Sequence, residues 1–148
     1  MVMMICLAPA AAHAQAVDPV KMLLSAPWHG SYVCNQGLTR LRLTLRSLPG
    51  GDRSQVEAEF SFSADSANPT VPTGSFRLTG TFNPTGQFLV LKHDRWLEQP
   101  ADPSYRMVDM EGRLSVGDGQ ALIGGRVTTY GCQDFAVWQF FAESAAGR

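Results

Sequence analysis

Surplus charge is the first thing this chain lacks. Twelve Lys and Arg stand against thirteen Asp and Glu over 148 residues, a formal net charge of −1. Without a basic excess there is nothing to neutralise a run of phosphates, and there is no acidic tail, so a nucleic-acid partner is not expected. Histidine is also scarce. Of three, His13 lies in the apolar N-terminal segment, which leaves His29 and His93. Neither has a carboxylate at metal-ligand spacing in the sequence, so no zinc site and no cofactor are expected. No GxSxG, HExxH, SxxK or phosphate-cradling glycine loop occurs. The pairs Gly50-Gly51 and Gly124-Gly125 are not followed by a helical pattern. No catalytic residues emerge, and the chain is not expected to be an enzyme.

A long hydrophobic run is missing too. The opening "MVMMICLAPAAAHAQA" is apolar for about a dozen residues, too short to span a bilayer. It ends in two overlapping A-x-A patterns, Ala12-His13-Ala14 and Ala14-Gln15-Ala16. Residues 1–16 therefore read as a secretory signal peptide, although the first basic residue is only Lys21. Met-Met-Ile-Cys lacks the small residue expected before an acylated cysteine, so Cys6 is not read as a lipid anchor. The expected protein is exported, periplasmic or secreted, without stable membrane insertion. Residues 17–148 would form one domain, a monomer with room for one contiguous core.

Cysteine is sparse, and export turns three into two. Cys34 and Cys132 remain in a compartment where disulfides persist, and a single bridge between them is the default. By the chain-entropy model a loop of that size stabilises by about 4–5 kcal/mol.

Helical periodicity is nearly absent. Only "VDPVKMLLSAPW" supports a short helix, with Asp18 as N-cap and Pro19 at the first helical position. The rest alternates with period two. Inward rows read as Trp28, Gly30, Tyr32, Cys34; Leu41, Leu43, Leu45; Val56, Ala58, Phe60, Phe62; Phe76, Leu78, Gly80, Phe82; and Val108, Met110, Gly112, Leu114. Glu57, Glu59 and Ser61 would face water. "QFLVL", "ALIGGRVTTY" and "QDFAVWQFF" complete the set, and "AESAAGR" reads as a frayed end. Glycines within the strand patterns (Gly80, Gly112, Gly124, Gly125) suggest bulges or bends that bring a sheet round on itself.

About eight strands in sequential hairpins give an all-β class. The expected fold is a single antiparallel up-and-down, lipocalin-like barrel with a short N-terminal helix; a two-sheet β-sandwich is the alternative. In the barrel, Cys34 and Cys132 (at the start of the last strand) would lock the seam.

Two Pro-bearing loops, 65–74 and 97–105, are the natural places for recognition on such a scaffold. The polar cluster "KHDRW" lies at the entrance to the second. His93, Arg95, Trp96, Tyr105 and Arg106 are the candidate partner-binding residues. Period-two geometry would send His93 and Asp94 to opposite faces, so they would not act as a pair.

Trp28, Gly30, Tyr32, Cys34, Gln36-Gly37, Thr39, Leu41 and Leu43 together resemble a family of small exported bacterial domains of unknown function, with the pattern W-x-G-x-Y-x-C-x-Q-G-x-T-x-L-x-L. The likeness continues through Ala58, Phe60, Phe62, Gly74, Phe76, Trp96, Pro100, Gly131, Cys132 and Phe135. Similar domains are found appended to caspase-like peptidase modules, which implies a binding or accessory role and no catalytic residues. A fainter similarity is to the periplasmic and membrane-bound inhibitors of c-type lysozyme, whose inhibitory loop is approximated only by Pro72–Phe76 and Pro103–Arg106.

The leading expectation is thus a non-enzymatic periplasmic or envelope binding module whose partner is a protein or a cell-envelope component. An inhibitor of a cell-wall hydrolase is one alternative. A carrier of small apolar ligands is another, opposed by Leu43, Phe60, Phe62, Phe76 and Phe82, which are bulky enough to fill a small barrel.

Overall fold

A computed structural model describes residues 17–141. The expected leader (residues 1–16) and the expected frayed end (residues 142–148) lie outside that range. The described chain begins with helix α1 (Pro19–Leu24) and continues through eight strands: β1 (Trp28–Cys34), β2 (Gly37–Ser47), β3 (Gln55–Ala64), β4 (Gly74–Asn83), β5 (Phe88–Glu98), β6 (Met110–Gly117), β7 (Gln120–Val127) and β8 (Asp134–Phe140). All are antiparallel in sequential order, and β8 returns to pair with β1, closing the barrel. A sandwich is ruled out by that closure.

The short helix forms where its caps require. Asp18 accepts hydrogen bonds from the backbone N–H of Val20 (3.0 Å) and Lys21 (3.4 Å), and Pro19 opens the helix. Leu23 is fully buried, and the Trp28 indole N–H donates to its carbonyl at 3.0 Å. The helix thereby stops one end of the barrel.

The inward rows form one core. Phe60 stacks on Phe76 at 4.5 Å between centroids, and Tyr32 meets Phe60 edge-on at 5.0 Å. With Leu41, Leu43, Leu78 and Leu91 these rings fill the interior.

The strands depart from simple alternation in four places. β5 runs on through "KHDRWLE" to Glu98, past the polar cluster and into the first two residues of the expected 97–105 loop. It does so by carrying two extra residues: Phe76 pairs with Trp96, Arg77 with Arg95 and Leu78 with His93, which leaves Asp94 and Leu97 as bulges against β4. Second, Val108 is buried but precedes β6, and β7 stops at Val127, so Tyr130 falls in a turn. Third, Cys132 also lies in that turn, two residues before β8. Fourth, the strand glycines do not mark the bulges. A Cβ on Gly80 would stand 1.8 Å from the Val90 carbonyl oxygen, and one on Gly125 2.1 Å from that of Glu111. At both positions glycine lets neighbouring backbones approach.

Glu57 is the clearest correction. It points outward as expected, yet its side chain is only 7% exposed, held between Arg46, directly opposite on β2, and Arg77 on β4. Arg77 Nη2 lies 2.6 Å from Glu57, and its Nη1 lies 2.7 Å from Asp94. Alternating charges therefore strap four strands together. The Arg77 hydrogen bonds hold the Glu57 carboxyl below its ordinary pKa, against the opposing effect of burial, with Arg46 adding to the same direction. Such a group contributes stability that is fully present above the unfolded value near 4.5 and is lost as pH falls through the folded one. Glu57→Gln should lower stability by about 1–3 kcal/mol at neutral pH, with the gap narrowing as the pH is taken below the unfolded value near 4.5. Urea midpoints of the two proteins at neutral pH and through a series of acidic pH values measure this.

Candidate functional site at the open end of the barrel

The end opposite α1 carries four connections: the Asn35-Gln36 turn after β1 and segments 65–73, 99–109 and 128–133. The other end has only the turns 48–54, 84–87 and 118–119 besides the helix. This asymmetry places the longest connections around one mouth.

The Cys34–Cys132 bridge sits in that mouth. It draws the 35–36 turn and the 129–131 turn together beside the β1–β8 seam. The loop around it is braced further. Gln133 N–H donates to Val33 O (2.8 Å), Val127 N–H to Gln133 O (2.8 Å), Thr128 N–H to Asp109 O (2.9 Å) and Cys132 N–H to Thr129 O (3.2 Å). Thr129 Oγ1 accepts from Asp109 N–H at 2.8 Å. Gly131, at φ 85°, turns the chain where a Cβ would lie 2.5 Å from the Asn35 amide nitrogen. At the tip of this braced turn Tyr130 is fully exposed.

Between these segments lies a half-open cavity of about 610 Å³. Tyr32 and Val108 lie at its buried side, and Tyr105, Arg106, Asp102 and Ser104 come from the 99–109 segment. Asn35, Gln36, Thr129, Tyr130 and the disulfide complete it. The Tyr105 ring is stacked on Phe62 at 5.9 Å and nearly parallel, which fixes its orientation. Gln36 Nε2 donates to the Tyr32 hydroxyl and to Thr39 Oγ1, both at 3.2 Å.

Electrostatically the cavity is balanced. Burial pushes the Tyr32 hydroxyl strongly upward in pKa, and the nearby Tyr105 adds to this. Burial and then the Asp102 charge raise Tyr105. Both remain neutral phenols at physiological pH. Asp102 is held below the usual carboxylate range by the Ser104 backbone N–H and hydroxyl, so it is ionised. Arg106 supplies the opposite charge and makes no ion pair among the described residues.

The five residues singled out from sequence separate here. Tyr105 and Arg106 line the cavity. Trp96 instead packs edge-on against Phe76 (5.5 Å) and Phe62 (6.3 Å), half-buried over the core. Arg95 is exposed opposite Arg77 on the outer wall. His93 pairs with Asp109, not Asp94: its Nδ1 lies 2.6 Å from Asp109 Oδ1, which also accepts the His93 backbone N–H at 2.8 Å. Burial raises the Asp109 carboxyl, but the two His93 contacts and Lys92 bring it below its ordinary pKa. The β5–β6 ladder ends at Leu91–Met110, and this side-chain clasp ties the strands just beyond it.

Pro72–Phe76 is not a protruding loop, because Gly74, Ser75 and Phe76 are already buried in β4. Pro103–Arg106 does lie beside the cavity. Tyr130, Asn35, Asp102 and Thr129 were not singled out from the sequence, and Gln36 only as part of the family pattern. The signal was the cysteine pairing itself, since a Cys34–Cys132 bridge forces Asn35-Gln36 and Tyr130-Gly131 to be neighbours.

A second, shallower hollow of about 410 Å³ lies at the helix end, lined by Met22, Pro27, His29, Trp138, Phe140 and Phe141. Among the described residues no group of three or more His, Cys, Asp or Glu could hold a metal. No helix among the described residues is long and apolar enough to cross a membrane. Compared by sequence, the chain matches no protein-family model and no curated protein.

Proposed function

We propose that this protein is a non-enzymatic binding module of the cell envelope, exported by its N-terminal leader, and that it engages its partner through the open end of the barrel. The observation that carries this reading is Tyr130: a fully exposed aromatic ring on a turn held by a disulfide and a set of backbone hydrogen bonds. Exposed aromatics on rigid backbone make contact area at low entropic cost, because the ordering has been completed on folding. The hollow at the helix end is smaller, about 410 Å³ against about 610 Å³, and has no disulfide-braced turn at its rim.

An apolar-ligand carrier is not favoured. The interior is filled by aromatic and aliphatic side chains, and the cavity at the mouth is lined by hydroxyl, amide and charged groups. The inhibitor reading gains no observation of its own, because one of its two loop segments is buried.

The test is binding of the oxidised protein to sedimented cell-envelope fragments. Tyr130→Ser and Arg106→Ala should each weaken binding about tenfold, the size of one well-placed contact. Arg95→Ala, on the outer wall, should leave it unchanged. Equal losses from all three, or none from the first two, would move the site elsewhere.

A further inference from the structure

Resting on the open end as the binding site, the geometry points to an uncharged glycan end as the ligand of the cavity. The volume of about 610 Å³ falls within the range of about 300–1,000 Å³ usual for small-molecule sites. Its lining then selects among ligand classes. One ionised carboxylate (Asp102) and one guanidinium (Arg106) balance each other, so neither a strong anion nor a strong cation is favoured. An apolar ligand would cover the Asn35 amide, the Arg106 guanidinium and the second Asp102 oxygen without giving them partners, which is costly.

A sugar ring matches both halves of the lining. Its C–H face lies against an aromatic ring, and Tyr105 and Tyr130 provide rings at the wall and the lip. Its hydroxyls are donors and acceptors at once. They suit planar groups that offer paired sites, such as a side-chain amide, a carboxylate and a guanidinium. Asp102 keeps one oxygen occupied by Ser104, which fixes the direction of the other. The Tyr105 ring is held by Phe62, and the backbone turn bearing Tyr130 is held by the bridge, so one ring and the position of the other are set before any ligand arrives. The half-open shape admits the terminus of a longer chain, with the remainder of the glycan passing over Tyr130.

The experiment is a titration of the oxidised protein with chitobiose, maltose and a neutral tripeptide, followed by amide chemical shifts. At least one of the two sugars should give saturable shifts confined to residues 35–36, 102–106 and 129–131, with dissociation constants of about 1–10 mM. Tyr130→Ser should weaken that sugar about tenfold, and Tyr130→Phe should restore it, because the ring and not the hydroxyl stacks. Arg106→Lys should also weaken it, since the planar fork is lost. Absence of shifts with both sugars, shifts at the helix end, or binding of the tripeptide alone overturns the glycan assignment. If Tyr130→Ser still abolishes binding to envelope fragments while both sugars fail, the binding module stands and only its ligand class falls. If neither response depends on Tyr130, both readings fail.

Discussion

Replacing Cys34 and Cys132 together with alanine should cost about 4–5 kcal/mol, a large share of the stability of a domain this size. The bridge joins positions 98 residues apart, so its removal frees nearly the whole described chain in the unfolded state. In the folded state the loss falls on one place, the junction of the 35–36 and 129–133 turns beside the β1–β8 seam. The variant should therefore unfold at a much lower urea concentration, and before unfolding it should exchange the amides of 128–133 faster than those of β3 and β4. A loss below about 1 kcal/mol would mean that barrel closure and core packing alone hold the seam, and the bridge would need another reason to exist.

Gly80→Ala should be nearly as damaging, and Gly124→Ala harmless. Both glycines occupy strands, and composition alone cannot tell them apart. A Cβ at Gly80 would lie 1.8 Å from the Val90 carbonyl oxygen, a backbone atom on the paired strand that no side-chain rotation can move. β4 and β5 would have to part, at a cost above about 4 kcal/mol. At Gly124 the nearest atoms are the flexible Leu122 side chain at 3.8 Å, an ordinary contact. Alanine there should be neutral or stabilise by up to about 1 kcal/mol through the unfolded chain. Thermal unfolding of both variants gives the comparison, and equal effects would contradict the close approach of β4 and β5.

The barrel was legible because its determinants are local. Leu41, Leu43 and Leu45, then Val56, Ala58, Phe60 and Phe62, alternate as strands with one buried face must, and short turns between them leave an up-and-down order. Asp18-Pro19 announced the helix by its capping chemistry. The seam bridge followed from counting cysteines once the expected leader was set aside. What stayed hidden depends on pairing across strands. The bulges at Asp94 and Leu97 exist only relative to β4; alternation rightly kept His93 and Asp94 apart, but it held no sign of the Asp109 partner that the pairing with β6 brings to His93. Glu57 looked like a solvated carboxylate until the register set it opposite Arg46 and within reach of Arg77. Tyr130 carries no periodic signature at all. An isolated aromatic in a turn becomes conspicuous only when its full exposure and the bracing of its backbone are both known. The cavity was half legible for the same reason. Tyr105 and Arg106 stood in or beside a Pro-bearing loop that also holds Asp102, whereas Asn35 and Thr129 reach the same space from two other connections.

The central claim is that recognition happens at the open end. It is tested most directly by hydrogen exchange of the oxidised protein, free and bound to envelope fragments. Protection on binding should appear in residues 35–36, 102–106 and 129–131 and be absent around Met22, Trp138 and Phe140. Protection centred on that helix-end hollow, with the Tyr130 turn exchanging as in the free protein, would contradict the account.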